Sequence, residues 1–303
     1  MTTKSVPRQA VLIVNAHSRK GQKLFDDARQ KLEAAGVELL AAHAVRNPDR
    51  LAATVRDAVK SDAPMIIIGG GDGSMSGTVD EFVGSQCVFA VLPLGTANSF
   101  ARTLGVPLDL DSAIAVIANG QRRRIDLGMI DGDYFVNAAS IGLSPMIGET
   151  VPHKLKRYLG RIGYLAWAVR CFVGLRPFRL IIDDGSGERR MWATEVRILN
   201  GRFHGGVELT EDAGVDSGEI IIQAVTGRSL FKLVLDWYAK FFRLRSRDAH
   251  AEDFCGREFL LDTRPHHRIS IDGEVLATTP VKVKVAASAI DVVVPMTDGP
   301  AVP

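Results

Sequence analysis

The sequence predicts an α/β domain with a parallel sheet, followed by a largely antiparallel β domain, and three observations carry that expectation. Between Gln9 and Leu92, apolar runs of strand length alternate with helix-like segments. One of them, Met65-Ile66-Ile67-Ile68, is β-branched, follows Pro64 and ends in Gly69-Gly70-Gly71-Asp72-Gly73-Ser74, the form of a buried parallel strand that turns sharply at its C-terminal end. Beyond Gly120 the pattern changes to short strand-like runs separated by Gly, Asp and Pro.

In order, Gln9 to Asn15 is the first strand, followed by a polar turn and a helix to about Ala35. Val37 to Val45 is a second strand. Asn47 and Pro48 supply the cap and first-turn signals of a second helix running to Lys60. The third strand leads into a helix from Ser74 to Val83, and Val88 to Leu92 is a fourth strand ending at Pro93-Leu94-Gly95-Thr96-Ala97-Asn98. Strands alternating with helices imply a parallel sheet covered on both faces, a three-layer domain that binds ligands at the C-terminal strand ends. The β-rich part comprises Arg122 to Ile130, Tyr134 to Ala138, Arg179 to Asp183, Trp192 to Leu199, Ile220 to Val225, Arg268 to Asp272, Val281 to Val285 and Ile290 to Val294. The expected organisation is residues 1–125 as the α/β domain, 126–295 as the β-rich domain with helical insertions, and 296–303 as a tail.

A chain of 303 residues suits two domains, and 46% hydrophobic with 24% charged residues excludes disordered and fibrous classes. No signal-like or membrane-spanning stretch is evident, so the expected compartment is the cytoplasm. Cys87, Cys171 and Cys255 form no CxxC pair and the histidines no HExxH, so neither zinc nor a disulfide framework is indicated. A net charge of +2 is modest and no nucleic-acid module accompanies it, which argues against nucleic acid as a partner.

Two insertions interrupt the β domain. Val151 to Leu180 has no acid but carries Lys154, Lys156, Arg157, Arg161, Arg170, Arg176 and Arg179 among aromatics, a composition suited to docking at an anionic membrane or to the solvated face of a packed helix. Ser229 to Arg245 is an amphipathic helix, with Lys232, Asp236, Lys240 and Arg243 on one stripe and Leu230, Phe231, Val234, Trp237 and Tyr238 elsewhere. Its apolar side meets either protein or lipid.

The candidate site lies where three strand ends converge: Asn15 and Ser18, then Gly69, Gly70, Gly71, Asp72, Gly73 and Ser74, then Gly95, Thr96 and Asn98. Glycines let the backbone approach a ligand, and a following helix presents free N–H groups to phosphate. Asp72 would repel a bare phosphate, which points to a divalent cation shared with a nucleotide. The plainer alternatives are helix capping by Asp72, Thr96 and Asn98.

The ordered motifs VLIVNAHSRKG, IIIGGGDGSMSGTVDEFVG, VLPLGTANSFARTLGVP, IDLGMI, NAASIGLSP, YLGRIGYLAW, GVDSGEI and ISIDGE resemble the diacylglycerol kinase catalytic family, specifically its bacterial lipid kinases, relatives of sphingosine and ceramide kinases and of NAD kinase. The resemblance implies an NAD kinase-like nucleotide domain, a β-sandwich lipid domain and transfer of phosphate from ATP, with Mg2+, to a lipid hydroxyl at the inner membrane face. It implies that Asn15 and Thr96 support the nucleotide and that Asp72 organises the metal. Glu274 matches the general base and Asp272 its neighbouring carboxylate, the two sharing one strand face. Asp126 would complete the acidic cluster and Asp216 would hold a structural Mg2+. Asp272-Gly273 is also a hairpin signal in its own right. Three positions depart from the family pattern. Ser99 stands where Asp is common, Ala16-His17-Ser18 replaces Asn-Pro-x-Ser, and Ser217-Gly218 replaces Asp-Gly. An NAD kinase-type enzyme and a catalytically inactive nucleotide-binding regulator remain the alternatives.

Overall fold

The computed structural model describes residues 5–17, 21–142, 174–241 and 251–296. Ser18 and most of the basic insertion lie outside the described residues, as does the tail beyond Met296.

Strands β1 (Gln9–Asn15), β2 (Glu38–Val45), β3 (Met65–Gly70) and β4 (Val88–Pro93) form a parallel sheet in the order β2-β1-β3-β4. Every residue of β3 and β4 is buried, as expected of central strands covered on both faces. Helices α1 (Gly21–Ala34) and α2 (Leu51–Lys60) pack by apolar stripes, Phe25, Ala28 and Leu32 on one and Leu51, Val55 and Ala58 on the other. The Asn47 side chain accepts from the Asp49 N–H at 3.1 Å, the expected cap, although the first turn is a 3-10 turn over Pro48–Arg50. α3 (Asp72–Val79) starts two residues earlier than the spacing suggests, with Gly71 as its N-cap. α4 (Ser99–Thr103) and α5 (Leu110–Asn119) follow; α1 packs on α5 and α2 on α3, giving three layers.

The β-rich part begins with β5 (Gln121–Ile130), β6 (Asp133–Phe135), β7 (Ala138–Ile141), β8 (Phe178–Asp183) and β9 (Glu188–Leu199). A small hairpin, β10 (Phe203–His204) and β11 (Val207–Glu208), leads to β12 (Ile220–Thr226) and α6 (Leu230–Phe241). The chain closes with β13 (Glu252–Gly256), β14 (Glu258–Arg264), β15 (Arg268–Ile271), β16 (Glu274–Thr278) and β17 (Val281–Val294). Antiparallel pairing runs β16-β15-β7-β9-β8-β14-β17, with β12 against β9. Side chains from β7, β9, β12 and β15 meet those from β8, β14 and β17 in one apolar core, which makes this part a sandwich.

Two sequence expectations change. Val281 to Val285 and Ile290 to Val294 are a single strand with a register shift between Ala286 and Ile290, because β5 pairs along both halves. Tyr134 to Ala138 divides into β6 and β7. β14 was not among the runs read from the sequence, although Phe259, Leu261 and Thr263 alternate inward with period two.

The long β5 and β17 cross from one core to the other. Ile125, Leu127 and Ile290 to Val294 belong to the α/β core, whereas Ile130, Val281 and Val283 belong to the sandwich. Residues 286–294 thus return to the first domain, where Asp291 and Val292 pair in parallel with β4. Asp126, 5% exposed, fixes this crossing by accepting from the Gly218 and Ser288 backbone N–H groups, each at 2.7 Å. Replacing Asp126 with Ala leaves both donors unsatisfied in a buried place. The expected loss is about 3 kcal/mol, read as a lower urea midpoint; an unchanged midpoint would remove this role from Asp126.

Candidate active site

β3 ends in glycine because nothing else fits there. A Cβ on Gly70 would run into the Ser74 side chain, and one on Gly95 would run into the Gly71 Cα and Asn98 Oδ1. The two glycine-bearing loops therefore lie backbone against backbone. At the start of α3, Ser74 N–H bonds the Gly71 carbonyl at 2.9 Å, and the Asp72 and Gly73 N–H groups have no acceptor among the described residues. They sit at the positive end of the helix, a ready anion site.

Around this loop the predicted nucleotide residues have definite places, apart from Ser18, which lies outside the described residues. Asn15 Nδ2 donates to Ser74 Oγ at 3.0 Å, joining the end of β1 to the first turn of α3. Asn98 is buried and left-handed (φ 50°), and its amide is spent on the loop itself: Oδ1 accepts from Gly95 N–H at 2.9 Å and Nδ2 donates to the Gly95 carbonyl at 3.0 Å. Asn98 shapes the loop that presents Gly95 and the exposed Thr96.

Asp72 does cap a helix, but not its own. Its Oδ1 accepts from Phe100 N–H at 3.1 Å in the first turn of α4, and Oδ2 accepts no hydrogen bond among the described residues. Ser99, 2% exposed, accepts from Gly206 N–H at 3.0 Å. The residue that departs from the family pattern thus ties α4 to the β10–β11 hairpin of the other domain.

Asp272 and Glu274 do not share a strand face as expected. Asp272 (φ 45°) and Gly273 (φ 99°) form the two-residue turn between β15 and β16, the left-handed pair that an Asp-Gly hairpin requires. Asp272 is spent on backbone: Oδ2 accepts from Val136 N–H at 2.8 Å, and Oδ1 from Asn137 and Ala138 N–H at 3.1 Å. It is therefore a positioning residue holding the turn that carries Glu274. Glu274 is exposed and lines a cleft of about 490 Å3 together with Asn15, Gly71, Gly73, Ser74 and Asp49. The β domain thus delivers one carboxylate to the glycine loop.

The predicted acidic cluster is not formed. Both oxygens of Asp126 are occupied by backbone donors, and Asp216, 60% exposed, lies 3.9 Å from Arg123 across an ion pair. Among the described residues no three His, Cys, Asp or Glu side chains gather around one point. Sequence reasoning also missed Asn200, whose buried Nδ2 donates to the Asp126 and Val136 carbonyls at 3.1 and 3.0 Å. A lone Asn after a strand carries no local signal of that role.

Burial pushes the Asp272 carboxyl up to about 6, and the charge of Asp72 acts in the same direction, against the three backbone N–H bonds. An acid whose folded pKa exceeds its unfolded value of 3.8 is stabilising when protonated. Its contribution is lost as pH rises through the window between that value and about 6. Wild type should therefore lose stability relative to Asp272→Asn over that window in thermal melts. Parallel curves for the two proteins would contradict the assignment.

Residues 9–130 match the family model of the diacylglycerol kinase catalytic domain, and residues 137–294 that of the YegS C-terminal NAD kinase beta sandwich-like domain. The chain is 31% identical over 222 residues to the diacylglycerol kinase of Bacillus subtilis (strain 168), covering 70% of this chain and 71% of that protein. It is 29% identical over 244 residues to a protein named "Probable lipid kinase YegS-like" from Klebsiella pneumoniae (strain 342), covering 78% and 80%. A solved diacylglycerol kinase structure from Bacillus anthracis str. Sterne superposes with a TM-score of 0.80 at 22% identity, over 98% of this chain and 99% of that one, and shares the fold. The chain belongs to the diacylglycerol kinase family of lipid kinases.

Proposed function

We propose that this protein transfers the γ-phosphate of ATP to a hydroxyl of a diacylglycerol-like or sphingoid lipid at an anionic membrane surface, with Glu274 as general base. The observation that carries the reading is the shared cleft, in which a carboxylate on the β16 turn faces the helix N-terminus that follows the glycine loop. Phosphoryl transfer needs positioning and charge neutralisation more than covalent help. The Asp72 and Gly73 N–H groups at the α3 dipole hold phosphate oxygens, and Gly71 and Gly95 keep side chains out of their way. Asn15, Ser74 and Thr96 lie beside that loop for the rest of the nucleotide. Glu274, solvent-accessible at the cleft wall, takes the proton of the attacking lipid hydroxyl.

The residues fit a magnesium ion of the kind that accompanies nucleotides. Mg2+ is commonly held by one or two carboxylates plus phosphates and water, and Asp72 offers one carboxylate oxygen that accepts no hydrogen bond among the described residues. Bound there, such an ion would offset charge on the polyphosphate. No helix among the described residues is long and apolar enough to cross a membrane.

The test is transfer of labelled γ-phosphate to mixed micelles of diacylglycerol, monoacylglycerol, phosphatidylglycerol, sphingosine or ceramide, with NAD as a soluble control. Label in one lipid identifies the acceptor; label in NAD alone overturns the lipid reading. With the acceptor in hand, Glu274→Gln should lower turnover by roughly 10²- to 10⁴-fold while ATP affinity stays near wild type. Unchanged turnover would return the role of base to Asp72.

A further inference from the structure

Helix α6 is turned the opposite way to an amphipathic helix on a protein in water. Its single acid, Asp236, is fully buried and Lys240 is 1% exposed, whereas Phe231, Val234 and Tyr238 are 67%, 44% and 55% exposed. A buried charge network accounts for the orientation. Asp236 Oδ2 lies 2.7 Å from Arg197 Nη1, and Asp236 Oδ1 lies 3.3 Å from Lys240 Nζ. Arg197 Nε donates to Glu195 at 2.7 Å, Trp237 Nε1 donates to the same carboxylate at 3.1 Å, and the guanidinium lies 4.6 Å over the Trp237 ring. With Leu233 packed against Leu175 and Val225, the side carrying Asp236 and Lys240 is held to β9, and Phe231, Val234 and Tyr238 face outward.

Among the described residues six large hydrophobic side chains are exposed, and half of them stand on this one helix at i, i+3 and i+7. Such a contiguous stripe marks a surface that is covered in use. Its charge selects the cover. Arg228 and Lys232 are exposed at its edge, and the helix shows no acid to solvent. A second copy would set these cations against themselves, whereas anionic headgroups complement them and the acyl boundary takes the apolar side chains.

We propose that the outward face of α6, centred on Phe231 and Val234, seats the protein on an anionic bilayer; this deepens the membrane-surface reading above and rests on it. The face is held rigid by the Arg197 network, so docking orients the β domain against the lipid.

The experiment is co-sedimentation with vesicles of phosphatidylglycerol and phosphatidylcholine, and with phosphatidylcholine alone. Wild type should bind the anionic vesicles only. Phe231→Ser/Val234→Ser changes exposed side chains and should melt like wild type, yet bind roughly tenfold or more weakly. Lys232→Glu should weaken binding about fivefold or more, in a salt-sensitive way. Equal binding of wild type and the double variant overturns the proposal, as does a dimer dispersed by the double variant without any vesicle binding. Phosphate transfer to a short-chain soluble lipid is measured alongside. Wild type that binds through α6 but phosphorylates no lipid overturns the kinase reading and leaves docking; transfer with vesicle binding indifferent to α6 does the reverse.

Discussion

The pairing of β5 with β17 is the constraint on which the rest of the molecule depends. These strands run side by side from the sandwich core into the α/β core, so the two domains share one hydrogen-bonded ladder. The ladder breaks register between Ala286 and Ile290, and there the buried Asp126 takes the Ser288 N–H while reaching across to Gly218. A buried carboxylate is tolerated because both oxygens have donors. With the crossing fixed, the turn between β15 and β16 is carried to the mouth of the glycine loop, and a cleft between domains becomes a defined site.

Polar contacts around that cleft do different work from those within either core. Asp72 caps α4, Ser99 accepts from Gly206 on the β10–β11 hairpin, and Asp272 gathers three N–H groups at the entry to β7. Each satisfies donors that would otherwise be left without partners at a helix start or a strand entry. They also set the acids apart: burial, with a smaller push from Asp72, raises Asp272, while Glu274, one turn residue further on, lies out in the cleft. Two neighbouring acids of one short motif are thereby separated into a brace and an exposed carboxylate.

Most of the α/β domain was legible because its signals are local. β1 begins and ends as read, and β2, β3, β4 and α2 follow from apolar runs, Asn47-Pro48 and glycine. The Asp272-Gly273 turn was equally local, and its left-handed pair is what separates Asp272 from Glu274 on the chain. What escaped was non-local. The acid cluster that Asp126 was expected to complete with Asp72, Asp272 and Glu274 is not gathered, because sequence cannot tell which carboxylates the backbone will claim. Asn200 and Ser99 owe their roles to segments distant in sequence.

By itself, then, the sequence determined the order of elements, the glycine loop that needs no side chains, and membership in a lipid kinase family, since period, turn chemistry and motif spacing are properties of short stretches. Only the tertiary structure decided that β17 returns to close the first sheet and that Asp272 braces while Glu274 faces the cleft. It also decided that α6 buries Asp236 and Lys240 and turns Phe231 and Val234 outward. A helix pattern fixes which residues share a face, but which face turns inward depends on its neighbours, and here Arg197 and Glu195 of β9 meet the charged one.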